Sequence, residues 1–175
     1  MNRTGTYVAF DGQGEENPTL SDYRYYALLM KWRENPCYNF NFTNSHEKTY
    51  SVRDTSSLDT LKKRLCERLS ASKNMLIILS DDTRKSGSML SYEIATAVDF
   101  YKIPLILSYV GCNTMLNPQA FSNRWPNELS VRIKNETAKA IHIPFRMDSI
   151  YSAINRFGVN DEIPPYSSTI YTRGF

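Results

Sequence analysis

The feature that most constrains the fold is an apolar run, Met-Leu-Ile-Ile-Leu, at positions 75–79. Successive side chains of a strand point to opposite faces of a sheet, so a strand without polar residues must be covered on both faces. Sheets covered in this way are mainly the parallel sheets of α/β proteins, which carry helices on both sides. The run therefore predicts the central strand of a parallel sheet.

Shorter apolar runs on either side of it alternate with amphipathic stretches, which is typical of repeated βαβ units. We predict strands at residues 6–10, 38–42, 75–79, 103–107 and 139–145. Ser21 is predicted to cap the first helix, with Asp22 favoured by its positive end, and Ser56 or Ser57 to cap the second. The third helix is expected around residues 90–101 and the last at 148–156, whereas residues 111–137 are predicted to be irregular apart from a short helix.

Five strands in this pattern predict an α/β, flavodoxin-like, doubly wound parallel sheet in the order 2-1-3-4-5. Aromatic residues alternate with asparagines at 38–42, as in an edge strand with one wet face. With 175 residues, we expect one α/β domain at 1–160 and a C-terminal extension at 161–175, either wrapped around the domain or disordered. Ligands of such sheets bind where the carboxyl ends of strands one and three meet.

Composition argues against several classes of protein. The net charge of +3 is too small for a nucleic-acid-binding surface, and the basic cluster at Lys62, Lys63 and Arg64 is interpreted as a solvated helix face. No apolar run approaches the roughly 20 residues that cross a bilayer, and the N-terminus lacks the apolar core of a signal peptide. The three isolated cysteines predict neither a disulfide framework nor a metal site. We therefore expect a cytoplasmic protein that binds neither membrane nor nucleic acid.

One carboxylate is the strongest candidate for chemistry. The chain contains no GxGxxG, Walker or GxSxG motif. His142 lies in a predicted strand, which favours a buried hydrogen-bonded role, and His46 in a long loop is a weaker candidate. Glu93 lies on the helix after strand three, roughly 60° around it from Leu90, so it borders the buried stripe near the ligand-binding edge. The alternative is a boundary carboxylate satisfied by water or a lysine.

Other side chains are expected to line the same crevice. They follow strand one, follow strand three, or share the third helix with Glu93, and they are Phe10, Asp11, Ser80, Met89 and Tyr92. Met89 and Glu93 are four residues apart and are therefore neighbours on one helix face. We predict that these five residues shape a substrate-binding site around the carboxylate.

Four segments in combination resemble a known family. They are residues 7–11 in strand one, 22–32 in the first helix, 57–69 in the second, and 75–80 followed by Tyr92-Glu93-Ile94. Together they are similar to bacterial TIR domains of the branch that includes the Thoeris antiphage proteins. The resemblance covers about residues 6–110.

The resemblance implies an activity. TIR enzymes cleave the bond between nicotinamide and ribose of NAD+, and Glu93 matches the position of their catalytic glutamate. Tyr92 matches the Thoeris-like form, but Met89 stands where the family often has a tryptophan. The resemblance further implies NAD+ as a substrate with no cofactor, and ADP-ribose or a cyclic isomer as product. It also implies self-association through TIR surfaces and an effector that responds to the product.

Two alternatives stay open at this point. A non-catalytic TIR-like adaptor, or a nucleotide-sensing interaction module, is favoured by Met89 and by the twelve tyrosines. A response-regulator-like receiver would use Asp81, which closely follows strand three. However, strand one is followed by Asp11 without a second acid, and Lys139 precedes strand five instead of following it.

Overall fold

A single parallel sheet organises the protein. The structure is a computed structural model and describes residues 3–15, 17, 19–40, 42–43, 58–161 and 168–170. Six strands follow the order β2-β1-β3-β4-β5-β6, and every neighbouring pair is parallel. They are β1 (Gly5–Ala9), β2 (Phe42–Thr43), β3 (Ser72–Leu79), β4 (Leu105–Tyr109), β5 (Ala140–Pro144) and β6 (Ser168–Ile170). The predicted α/β class with a parallel sheet is confirmed.

Helices cover both faces of this sheet. The α-helices are α1 (Tyr23–Arg33), α2 (Leu58–Ala71), α3 (Met89–Ala95), α4 (Asn127–Lys134) and α5 (Met147–Arg156). A π-helix, Thr96–Phe100, continues α3, and a 3-10 helix, Pro118–Arg124, precedes α4. One core lies between the sheet and α2, α3 and α4, and the other lies between the sheet and α1 and α5. Among the described residues, no helix combines the length and apolarity needed to span a bilayer.

The central position of β3 agrees with its sequence. Its residues from Asn74 to Leu79 are all buried, and it pairs with β1 on one side and β4 on the other. Met75, Ile77 and Leu79 enter the core under α2 and α3, whereas Leu76 and Ile78 enter the core under α1 and α5. Both faces of the strand are therefore covered, as the uninterrupted apolar run predicts.

The prediction of five strands is wrong, because β6 adds a sixth to the edge of β5. Its three residues pair with Ala140, Ile141 and His142. The strand is therefore defined by its pairing with β5, and no hydrophobic pattern in its own sequence predicts it. The segment 111–137 holds both the 3-10 helix and α4, which buries Leu129 against the core. The predicted caps at Ser56 and Ser57, and His46, lie outside the described residues.

Candidate active site

Glu93 is a buried carboxylate at the boundary of the core. The helix α3 buries Leu90 and Ile94 one turn apart, and Glu93 lies beside them with 6% of its surface accessible. Tyr7, on the neighbouring strand β1, points into the same layer, and its hydroxyl donates a hydrogen bond to Glu93 Oε1 at 2.6 Å. The alternation of side chains along β1 thus places a phenol next to the one acid that α3 buries.

The surroundings of Glu93 favour its neutral form. Burial raises the pKa of this carboxyl from 4.5 to about 7, while the hydrogen bond from Tyr7 and the charge of Arg68 act to lower it. The negative charge of Asp11 acts to raise it further. Burial, together with the neighbouring Glu93, also raises the pKa of Tyr7 well above 10, so Tyr7 remains a donor at neutral pH. Near pH 7 both protonation states of the carboxyl are therefore populated.

Asp11 is also buried, but its oxygens are fully used by neighbouring groups. The Arg84 side chain donates from Nε at 2.9 Å and from Nη2 at 2.8 Å, and the Arg84 backbone N–H donates at 2.9 Å. The backbone N–H of Gln13 donates a fourth hydrogen bond at 3.1 Å. Burial acts to raise the pKa of Asp11, yet the hydrogen bonds from Arg84 and Gln13 lower it overall. Asp11 therefore holds the loop after β3, here called the 80–88 loop, against the end of β1.

Ser80 is likewise occupied within the protein. Its hydroxyl donates a hydrogen bond to Asp22, and its backbone N–H donates to Thr83 Oγ1 at 2.9 Å. The Thr83 hydroxyl in turn donates to Asp22 Oδ2 at 2.7 Å. Asp22 is fully buried, and burial raises its pKa even though both hydroxyls act to lower it. The three side chains fasten the start of α1 to the start of the 80–88 loop.

Asp22 is a site residue that the sequence analysis misses in this role. It is interpreted there as a favourable charge at the helix end, with Ser21 as the cap. The structure has Ser21 Oγ accepting a hydrogen bond of 3.3 Å from the Tyr23 backbone, while the Asp22 carboxylate binds residues about 60 positions away along the chain. An aspartate before a helix was a visible signal, but its distant partners were not.

Phe10 lies in the opposite core from Glu93. Its ring stacks on Tyr26, with centroids 4.8 Å apart, and meets Tyr23 edge-on at 5.7 Å. These contacts belong to the layer under α1 and α5, because Phe10, directly after β1, continues the side of Val8 and not that of Tyr7 and Ala9. The structure therefore does not bring the Phe10 ring to the side of the sheet where Glu93 lies.

Tyr92 and Met89 form the outer surface near Glu93. The Tyr92 ring is half-buried against the core, and Lys62 Nζ lies 4.9 Å from its centroid. Met89 begins α3 one turn before Glu93 and is 36% exposed. An apolar side chain at this position offers a surface to a flat ring, although it lacks the aromatic face that a tryptophan would present.

The 80–88 loop is also tied to the segment between β4 and α4. Arg124 Nε donates to Asp81 Oδ1 at 2.8 Å, and Lys85 Nζ donates to the carbonyl of Ser122 at 2.9 Å. The backbone N–H of Asn127 donates to the carbonyl of Lys85 at 2.8 Å. On the other side of the loop, Arg24 Nη2 donates to Asp82 Oδ2 at 2.7 Å. Gln13 Nε2 donates to the backbone carbonyl of Asp82 at 2.6 Å. The loop leading to α3 is therefore held from both directions.

His142 has the buried role that its strand predicts. Tyr109 Oη and His142 Nδ1 are 2.9 Å apart, and Trp125 Nε1 donates to Tyr109 Oη at 2.7 Å. Burial lowers the pKa of His142 to about 4, so the imidazole is neutral at physiological pH. Within the described part of the chain, no group of three or more His, Cys, Asp or Glu side chains is arranged to hold a metal ion.

Comparison with protein families identifies the family to which this fold belongs. A family model described as the TIR-like domain of the Thoeris protein ThsB matches residues 7–114, which is more than half of the chain. The matched region begins at Tyr7 and includes Asp11, the 80–88 loop and Glu93. It ends after β4, before the 3-10 helix and α4.

Proposed function

We propose that this chain cleaves the nicotinamide–ribose bond of NAD+, because it belongs to the family of TIR-like domains of the Thoeris protein ThsB. The family associates the chain with TIR-type proteins of antiphage defence. The observation that carries the proposal is the buried Glu93 carboxyl, which lies on the helix that follows the 80–88 loop and accepts a hydrogen bond from Tyr7. Membership of this family also argues against the alternative of a response-regulator-like receiver. Asp81, which a receiver would use, is mostly exposed and forms an ion pair with Arg124.

The reaction needs little beyond one well-placed carboxylate. The bond between C1′ of the ribose and the pyridinium nitrogen breaks, and its electron pair neutralises the departing nicotinamide, so no acid is required. The ribose develops oxocarbenium character, as in glycoside cleavage. A carboxylate already in place beside the ribose, in a site with little water, stabilises that positive charge.

The hydrogen bonding of Glu93 is suited to this role. Among the described residues, Tyr7 is the one that hydrogen-bonds the Glu93 side chain, and it uses Oε1. Oε2 therefore has no hydrogen bond from the described part of the protein and is the oxygen that ribose hydroxyls would reach. A bound pyridinium is a cation, and its charge would favour ionisation of the carboxyl that burial holds near neutral.

The fate of the ribose cation decides the product. Attack by water at C1′, with loss of one proton to solvent, gives ADP-ribose. Attack by another oxygen or nitrogen of the same molecule, again with loss of one proton to solvent, gives a cyclic isomer. In this proposal NAD+ is the substrate and no cofactor takes part. Copies of the chain associate through TIR surfaces in the cytoplasm, and a partner effector responds to the product.

Product analysis with a single variant tests the proposal. Purified protein is incubated with NAD+, with and without an extract of phage-infected cells, and nicotinamide and ADP-ribose species are measured by mass. Glu93→Gln keeps the size of the side chain and an acceptor for Tyr7 but removes the charge, and we expect at least about a hundredfold loss of turnover. The control, Asp148→Asn, removes an exposed carboxylate on α5 and should leave turnover unchanged. Full activity in Glu93→Gln would exclude the mechanism.

A non-catalytic, nucleotide-sensing adaptor is the second candidate. Met89 favours it, because a partly exposed methionine replaces the tryptophan that often stands in TIR sites. In that case NAD+ would raise the melting temperature of the protein without nicotinamide release under any trigger. Restoration of turnover by Met89→Trp would instead assign the difference to the nicotinamide-binding surface.

A further inference from the structure

The hydroxyl of Tyr7 has a specific place in the core. Tyr7 is 2% exposed, and the side chains around it in the layer under α2 and α3 are largely apolar. Burying a phenol without a partner is costly, and tyrosines in cores usually find one. Here the partner is Glu93 Oε1, at 2.6 Å, on an element 86 residues further along the chain. A phenylalanine would fill the same space, so the hydroxyl acts through its contact with Glu93.

We propose that Tyr7 is a positioning residue, which fixes the Glu93 carboxylate through Oε1 and thereby leaves Oε2 for the ribose hydroxyls. This inference rests on the proposed function and adds a residue to the same site. A carboxylate with one oxygen anchored to a strand of the sheet has a single preferred rotation, and preorganisation of this kind is what an oxocarbenium-like transition state requires. Because a hydrogen bond to an ionised carboxylate favours the ionised form, Tyr7 also extends activity toward lower pH.

The other charges around the pair define what Tyr7 adds. Arg68 and Cys66 face the pair from α2, and Asp11 acts from the end of β1. Arg68 favours the ionised form of Glu93 and Asp11 opposes it, while burial is the largest influence and also opposes it. Arg68 and Asp11 act on Glu93 through their charges, whereas Tyr7 acts through a hydrogen bond. Replacing Tyr7 by phenylalanine removes that hydrogen bond and only one oxygen atom.

The test is Tyr7→Phe, read as a pH profile of kcat/KM for NAD+ cleavage. In the wild type the acid limb should have an apparent pKa near 7. In the variant it should move up by about one unit, which by itself lowers the rate roughly tenfold at pH 6. A further loss of about tenfold should persist at pH 9, where the carboxylate is ionised but is no longer held through Oε1. Tyr151→Phe, which removes a tyrosine hydroxyl on α5, is the matched control and should keep the wild-type profile. A rate that returns to the wild-type value at pH 9 would overturn the positioning role, and an acid limb that does not move would overturn the hydrogen bond to Glu93 on which that role rests.

A measurement that needs no activity separates this inference from the proposed function. Carbon-13 NMR of the Glu93 carboxyl follows its titration directly, and the midpoint should rise in Tyr7→Phe by the same amount as the kinetic limb. An unmoved midpoint would overturn the inference even if the wild type cleaves NAD+. An inert wild type with a shifted midpoint would overturn the proposed function and the catalytic part of this inference, while the link between Tyr7 and Glu93 would stand. If Tyr7→Phe does not fold, a fluorinated tyrosine at position 7, a stronger donor, should move the midpoint downward, and a midpoint that does not fall would overturn the inference.

Discussion

Glu93 and Asp11 are two buried carboxylates near the same edge of the sheet, but their surroundings differ. Asp11 accepts four hydrogen bonds, two of them from the Arg84 guanidinium, whereas Glu93 accepts one, from Tyr7. The pKa of Asp11 is accordingly lowered, and that of Glu93 is raised to about 7. Burial alone therefore does not determine how a carboxyl behaves. The hydrogen bonds that a carboxyl accepts, above all those from a guanidinium, decide whether its pKa is raised or lowered in the folded protein.

The largest expected effect tests the Glu93 side of this comparison. The pKa of Glu93 is raised on folding from 4.5 to about 7, so its contribution to stability is fully present below pH 4.5 and is lost as the pH rises through 7. Glu93→Gln has no charge to bury. Its free energy of unfolding in urea should equal that of the wild type near pH 4.5 and exceed it by about 3 kcal/mol at pH 9. If the free energies of unfolding of the wild type and Glu93→Gln differed by the same amount at pH 4.5 and at pH 9, burial would not raise the pKa of Glu93.

The next effect tests the Asp11 side. Asp11→Asn removes the charge that Arg84 pairs with and replaces one acceptor by a donor facing other donors. We expect a loss of about 2 kcal/mol at pH 7, moderated because Arg84 is partly exposed and can be rehydrated. Since the pKa of Asp11 is lowered, its contribution is present above about pH 4 and disappears as the pH falls further. Urea unfolding at pH 7 and pH 3 should therefore show a difference that narrows in acid, and a gap that widens there would contradict this assignment.

The smallest effect calibrates the other two. Asp82 pairs with Arg24 at 2.7 Å, and both side chains are 45% exposed. Asp82→Asn should change the free energy of unfolding by less than about 0.5 kcal/mol, because water and salt screen an exposed pair. The change should shrink further in 0.5 M salt. A loss as large as that for Asp11→Asn would mean that exposure does not separate these carboxylates.

The sequence predicts the scaffold of the site better than its chemistry. The run at 75–79 and the spacing of Leu90 and Ile94 are local patterns, and they place β3 and the buried face of α3 correctly. The partner of Glu93 lies 86 residues away on another strand, and that of Asp11 lies 73 residues away in a loop. Such hydrogen bonds depend on how strands and loops meet in three dimensions. No periodicity in one segment encodes them.

The same limit explains Phe10 and Asp22. Phe10 is placed at the end of strand one by its pattern, but the pattern does not decide which face of the sheet the helix carrying Glu93 covers. Asp22 is next to a predicted helix end, yet its two hydroxyl partners come from the 80–88 loop. For both residues the sequence predicts the position along the chain but not the contacts of the side chain. The structure therefore revises their roles.

Hydrogen bonds from the 80–88 loop to residues 122, 124 and 127 join the loop to the 3-10 helix and to the start of α4. The 3-10 helix and the start of α4 lie outside the region matched by the ThsB family model, while the loop and Glu93 lie inside it. The 3-10 helix and the start of α4 contact the 80–88 loop through Asp81 and Lys85, four to eight residues before α3 begins. Residues beyond the matched region therefore help to hold the loop that leads into the helix carrying Glu93.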